Sequence, residues 1–173
     1  MAYCTQTLAG ITLDCGNNKG GIKTVYIANF GDVKSYEESE GVISGITMAD
    51  SAKFKAYQFR KNTGSMTSTL TADETNGLNY VTTELSLVFT KMDTAKRVEM
   101  SALSLGQLAV IVLDSNGIYW YLTPDDYASA SAGTGETGTA KGDRNAYTLT
   151  LSVENDGYPI EIAESAIASI IAE

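Results

Sequence analysis

The sequence predicts a mostly-β fold: an antiparallel β-sandwich or barrel with one packed α-helix and a short helical segment near the C-terminus. Three observations carry this. The dominant hydropathy period is two, clearest in residues 80–90, where Val81, Thr83, Leu85, Leu87 and Phe89 share one face and Tyr80, Thr82, Glu84, Ser86, Val88 and Thr90 the other. The strand-sized runs are rich in Val, Ile, Thr and Tyr, residues that fit a pleated, half-buried surface. Three turn-forming pairs, Asn76-Gly77, Asn116-Gly117 and Asp156-Gly157, fall between such runs, and only one long segment has helical spacing.

Taken in order, residues 1–21 hold few core-like side chains. Strands are expected at 22–30, 42–48, 53–60, 65–72, 80–90, 107–113, 118–123, 146–153 and 158–162. The three Gly pairs suit type I′ turns, which need positive φ angles, so three hairpins are expected. Their 40-residue spacing does not mark a repeat, because the segments between them differ. Asp93 is the expected N-cap of a helix over Thr94–Leu105, with Gly106 at C′. Its buried stripe is expected to be Ala95, Val98, Ala102 and Leu105. Residues 163–172 carry a shorter helical signal, in which Ile167, Ile170 and Ile171 would dock on the body. Two loops are expected: 32–40, with the acidic Glu37, Glu38 and Glu40, and the long small-residue stretch 124–145.

The chain has 173 residues, 43% of them apolar and 19% charged, which suits one globular domain spanning 1–173. Area scaling has such a chain bury roughly 70% of its unfolded surface. Its net charge is −9, and it contains no histidine. The acidity argues against a grip on nucleic-acid backbone, which needs clustered Lys and Arg. The missing histidine removes Ser-His-Asp and Cys-His catalysis and the HExxH zinc site. Cys4 and Cys15 are the only cysteines, too few for a tetrahedral metal site. Residues 1–7 have neither a basic nor an apolar signal region, and no apolar run reaches membrane length, so folding in a cytoplasm with no membrane partner is expected. On that reading the two cysteines are free thiols, a Cys4–Cys15 disulfide being the alternative.

Four motifs invite a chemical reading. Gly133-x-Gly135-x-x-Gly138 matches the dinucleotide fingerprint, but no apolar strand precedes it and no helix follows. Lys141 is followed by Gly142, so there is no phosphate-binding loop. Asp114-Ser115-Asn116-Gly117 lacks the length and the closing Glu of a calcium loop and reads as a turn. Asp125-Asp126 and the Glu37/Glu38/Glu40 cluster read as solvated acids rather than an acid–base pair. No catalytic residue, cofactor or metal site is therefore assigned, and a non-enzymatic protein is expected.

The positive signal concerns a surface. Ser65, Thr67, Thr69 and Thr71 share one side of their strand, and Thr82, Glu84 and Ser86 fall on the matching side of the next. Such a face is either the ordinary solvent side of a sandwich or the wall of a water-filled channel, closed when several subunits pair their edges. No Lys or Arg lies between Ser65 and Thr90, and residues 107–173 hold ten acids against Lys141 and Arg144 alone. Acidic surfaces repel DNA, which suits a conduit and not a DNA binder.

The order of elements supports one more comparison. A long N-terminal β section is followed by the strand ending at Phe89, the helix from Asp93, the hairpin AVIVLDSNGIYWYLT, and a small-residue stretch leading into GDRNAYTLTLSVENDGYPIEI. This order resembles that of phage major tail, or tail tube, proteins. The segments DCGNNKGGIKTVYIANFGDV and GTGETGTAKGDRNAYTLTLS are similar to structural proteins of phages and prophages of gut Bacteroidetes. The resemblance implies a virion subunit whose long hairpins join six-fold into a ring with a β-barrel lumen. Rings then stack into a tail tube through which DNA passes transiently, with the chain itself and other tail proteins as partners. Carried onto this chain, residues 65–90 become the lumen hairpin. Residues 124–145 become an inter-subunit loop using Asp125, Asp126, Tyr127, Glu136 and Lys141, and 1–21 an arm ordered by a neighbour. Two alternatives stay open: a head-decoration or head–tail connector protein, and a monomeric carbohydrate- or peptide-binding sandwich built on the tyrosines and Trp120.

Overall fold

The computed structural model describes residues 5–172, and these form a mostly-β fold of two sheets. Cys4, and with it the Cys4–Cys15 alternative, lies outside the described residues, and Cys15 is exposed. In chain order the strands are β1 (Ile22–Asn29), β2 (Val33–Ser39), β3 (Val42–Met48), β4 (Lys55–Tyr57), β5 (Ser65–Asp73) and β6 (Leu78–Thr90). Helix α1 (Thr94–Leu105) follows, then β7 (Leu108–Asp114), β8 (Tyr119–Tyr121), β9 (Ser129–Glu136), β10 (Ala146–Asn155), β11 (Ile160–Ile162) and the short helix α2 (Glu164–Ile167). One sheet has the order β2-β3-β11-β8-β7-β1-β4, the other β5-β6-β10-β9. All pairings are antiparallel except β11 with β3.

The continuous apolar run in β7 explains how the layers stack. Leu108, Val110 and Val112 point into a core shared with Leu85, Leu87, Leu149, Leu151 and Val153 of the four-stranded sheet. Ala109 and Ile111, between them, point the other way, into a second core with Ile43, Ile46, Phe54, Tyr121 and Ile167. A strand packed on both faces must be apolar at every position, whereas β6 and β10, packed on one, alternate. The β2–β3 hairpin and α2 cover the second core, and Ile167 and Ile170 dock there as the sequence predicts.

Several elements differ from expectation, each for a physical reason. Residues 33–39 form a strand rather than a loop, because β2 lies at a sheet edge, where Glu37 and Glu38 stay in water while Tyr36 packs edge-on against Tyr121. Residues 129–136 are also a strand. Their Gly and Ala have low strand propensity, but β10 needs a close partner: a Cβ at Gly135 would lie 2.9 Å from the Tyr147 ring. The regular strand at 53–60 shrinks to Lys55–Tyr57.

The turns stand where expected but differ in type. Gly77 and Gly117 have positive φ while their Asn neighbours do not, and Asp156-Gly157 joins the two sheets instead of closing a hairpin. Consecutive left-handed residues occur instead at Glu40 and Gly41, φ 54° and 81°. Asp93 caps α1 by accepting from the Lys96 amide at 2.8 Å. Gly106 is extended rather than left-handed, and its small size is needed because a Cβ would lie 2.8 Å from Leu108. The helix also rolls away from its expected stripe. Leu103 is buried with Met100 beside it, while Ala95, Val98, Ala102 and Leu105 face water. Met100 and Leu103 offer longer side chains to the gap between the sheets, and Glu99 on that side accepts a hydrogen bond from the Tyr57 hydroxyl.

Candidate functional site: the polar face of the four-stranded sheet

The alternation that buries Val81, Leu85, Leu87, Leu149, Leu151 and Val153 fixes what lies on the other side of the same strands. The β5–β6 register pairs Ser65 with Ser86, Thr67 with Glu84, Thr69 with Thr82 and Thr71 with Tyr80. All seven residues singled out in this hairpin therefore share one face. Ser65, Thr67, Thr69 and Glu84 are exposed; Thr71, Thr82 and Ser86 are half-buried by their neighbours. The opposite face of β5 carries Met66 and Ser68, and the Ser68 hydroxyl lies 2.8 Å from that of buried Thr83.

The face extends further than the hairpin. Strand β10 sets Thr150 beside Ser86, Ser152 beside Glu84 and Glu154 beside Thr82. Strand β9 then adds Ala132 beside Thr150, Thr134 beside Thr148 and Ser129 beside Ser152. Sequence reasoning missed the β10 contribution, although the period-two pattern of residues 146–153 contained it. The β9 contribution had no such signal, because its Ser, Ala and Gly run lacks an apolar alternation. The result is a surface mostly of hydroxyls and small side chains, with Tyr80 also on it and with Val88 and Ala146 buried at the end near Thr90. None of the four strands contains a Lys or Arg, so Glu84, Glu154 and, at two ends, Asp73 and Glu136 are the charges these strands place on it. Beyond the sheet's corner, Arg144 lies 2.5 Å from Glu136 and Arg60 donates to Thr90 at 3.2 Å.

Both edges of this sheet are open: neither β5 nor β9 has a strand partner on its outer side among the described residues. The β5–β6 turn is held by Asp73, whose carboxylate accepts from the Thr75 amide at 2.9 Å and from the Asn76 side chain at 2.6 Å. These bonds, the Asn76 side chain first, lower the Asp73 pKa. At the β9–β10 turn Asp143 accepts from the amides of Ala140 and Thr139, at 2.7 and 2.8 Å, with the same direction of shift.

The five residues expected to form one inter-subunit loop fall into two groups. Asp125, Asp126 and Tyr127 lie near Asn155: the Asp125 amide donates to the Asn155 side chain at 3.4 Å, and its carboxylate accepts from the Asp156 amide at 3.1 Å. Tyr127 packs edge-on against Phe30, with ring centroids 6.1 Å apart. Glu136 and Lys141 lie at the other end of β10, by Ala146. Nine strand steps separate Ala146 from Asn155, about 30 Å at the rise of a β-strand. Strand β9, absent from the sequence reading, is what separates the groups. They mark opposite ends of the sheet.

Residues 5–20 are exposed and without regular structure, with Leu8, Ile11 and Leu13 each at least 90% exposed. Trp120 is no surface platform: it packs against the first core and donates its indole N–H to Asp114 at 3.0 Å. Tyr119 and Tyr121 lie on the opposite side, as their alternation predicts. Comparison of the chain with protein-family models, with curated proteins and with solved structures finds no match.

Proposed function

We propose that this chain is a structural virion subunit that assembles into stacked rings, forming a phage tail tube through which DNA passes. The observation that carries the reading is the four-stranded sheet, with a hydroxyl-rich face whose strands contain no Lys or Arg and with two open edges. Open edges are a liability in a monomer, and pairing β5 of one copy with β9 of the next removes both. Six copies, the number the resemblance to tail tube proteins implies, supply four strands each to a closed barrel. At ordinary strand spacing and tilt such a barrel is roughly 45–50 Å across between backbones, wide enough for an aqueous channel. Its wall then presents mainly Ser, Thr and acidic side chains to the phosphate backbone, with Arg60 and Arg144 only at the end near Thr90 and Glu136. DNA moves through because it is not held.

Two further features support assembly. The groups around Asp125 and Glu136 stand at opposite ends of the sheet, where successive rings would meet. The arm at 5–20 holds three leucine and isoleucine side chains in water, a cost that a neighbouring copy would remove. The reading is tested by negative-stain electron microscopy and light scattering on purified protein. Rings or tubes with a central channel are expected. A monodisperse monomer at high concentration, with no tubes, refutes it.

A further inference from the structure

In a chain carrying more acid than base, three of the twelve Lys and Arg residues line one cavity. It has a volume of about 590 Å³ and lies where β1 begins, with Lys19, Lys23 and Lys61 in its wall, Phe59 and Ile22 beneath them, and no acidic residue lining it. The wall is built, not incidental. Asn116 ties down residues 18 and 19: its side-chain oxygen accepts from the Lys19 amide at 2.9 Å, and its side-chain nitrogen donates to Asn18 at 2.9 Å. The Ser115 amide holds the Gly21 carbonyl at 3.0 Å. On the other side, Asn62 sits in the left-handed region, in a turn where the Thr63 hydroxyl donates to the Arg60 carbonyl at 2.6 Å. The nearest carboxylate along the chain, Asp114, is turned away and occupied by the Asn116 and Ile118 amides and the Trp120 indole. None of the three lysines is in an ion pair among the described residues. With three exposed lysines and no acid in its lining, the cavity suits an acidic group from elsewhere.

The chain presents such a group. The end of the β2–β3 hairpin exposes Glu37 and Glu38, successive residues of β2 on opposite faces, and Glu40 in the turn, and none of these is in an ion pair among the described residues. Within one copy this hairpin end is fixed in the sheet by the pairing of β2 with β3, and β11, β8 and β7 stand between β3 and β1. We infer that the lysine cavity of one copy receives the acidic end of the β2–β3 hairpin of a second copy, which carries Glu37, Glu38 and Glu40. The two surfaces differ, so the contact is heterologous: each copy gives a hairpin end and takes one, and the contact propagates from copy to copy. This inference rests on the self-assembling reading above and names the contact that carries it.

A charge exchange tests it. The variant K19E/K23E/K61E and the variant E37K/E38K/E40K each set like charges against each other in every contact. Each is expected to need at least about tenfold more protein than wild type before rings or tubes sediment. An equimolar mixture of the two variants restores opposite charge at every contact and is expected to assemble near the wild-type concentration. Rescue by mixing also shows that both variants fold. The inference is overturned if either variant alone assembles like wild type, or if the mixture does no better than its components. In both cases wild-type tubes still form, so the structural reading survives. If wild type does not assemble, both fall together. Capture of free DNA or inorganic phosphate by the lysine cavity, without loss of assembly in the E37K/E38K/E40K variant, would assign the cavity to a different anion and overturn the inference.

Discussion

Thr67 and Glu84 stand directly opposite each other across the β5–β6 ladder, on the side of the sheet turned away from Leu85 and Met66. A neutral hydroxyl facing a carboxylate, with no cation on either strand, is a pairing that gives the hairpin little cross-strand attraction. Its place in a cation-free sheet is what makes the face suitable as a wall beside DNA.

A cation placed on that wall should make it sticky. Assembled protein carrying Glu84→Lys together with Thr150→Lys is expected to co-sediment with linear duplex DNA at low salt and to release it as salt rises, whereas wild-type tubes sediment alone. Equal DNA recovery with wild-type and variant tubes would show that this face does not meet DNA.

Core energetics follow from the two-sided packing of β7. Ile111 is fully buried against Tyr121 and Ile167, and Ile111→Ala is expected to cost roughly 2–5 kcal/mol. The urea midpoint should fall with an unchanged slope. A loss below 0.5 kcal/mol would mean that the second core is not packed as described.

The Tyr57 hydroxyl and Glu99 join strand β4 to α1. Burial, reinforced by that hydrogen bond to Glu99, raises the Tyr57 pKa above the usual tyrosine value near 10. A raised folded-state pKa means the folded protein keeps the proton while the unfolded chain loses it. Stability from this group is therefore complete below about pH 10 and is lost as pH climbs beyond it. Tyr57→Phe is expected to lower stability by about 1 kcal/mol at neutral pH and to flatten the alkaline limb of a Tm-against-pH curve. An unchanged alkaline limb in the variant would contradict the assignment.

At the acid end the sign reverses. Asp93, held down first by the Lys96 side chain, Asp73 by Asn76 and Asp143 by the Ala140 amide all have lowered folded-state pKa values. Their contributions are present above the unfolded carboxylate pKa near 4 and disappear as pH falls through the lower folded values. The melting temperature should drop below pH 4, and less steeply in Asp93→Ala, which has already lost the helix cap.

The parts of this fold written in alternation were legible in the sequence, and the parts set by neighbours were not. Strand β6 declares its two faces residue by residue, and Asp93 declares the start of α1. Strand β9 does not declare itself, because its Gly and Ala residues lack an apolar alternation and Gly135 is there to clear Tyr147, a requirement visible only once β10 is beside it. The roll of α1 likewise depends on which longer side chains fill the gap between the sheets, so the Ala95–Val98–Ala102–Leu105 stripe ended in water. For the site, the hairpin residues were readable as a face, but its full width across β10 and β9 needed the register. The supposed single loop became two ends of a strand for the same reason.

On the proposed function, the β5-β6-β10-β9 sheet lines a channel closed by several copies. Helical reconstruction of the assembled protein by electron cryomicroscopy tests it most directly. A continuous barrel is expected, in which β5 of each copy is hydrogen-bonded to β9 of the next, with Thr67, Thr69, Glu84, Thr150 and Ser152 facing the lumen. A tube with these residues on its outer surface, or one lined by α1 or the β2–β3 hairpin, would contradict it.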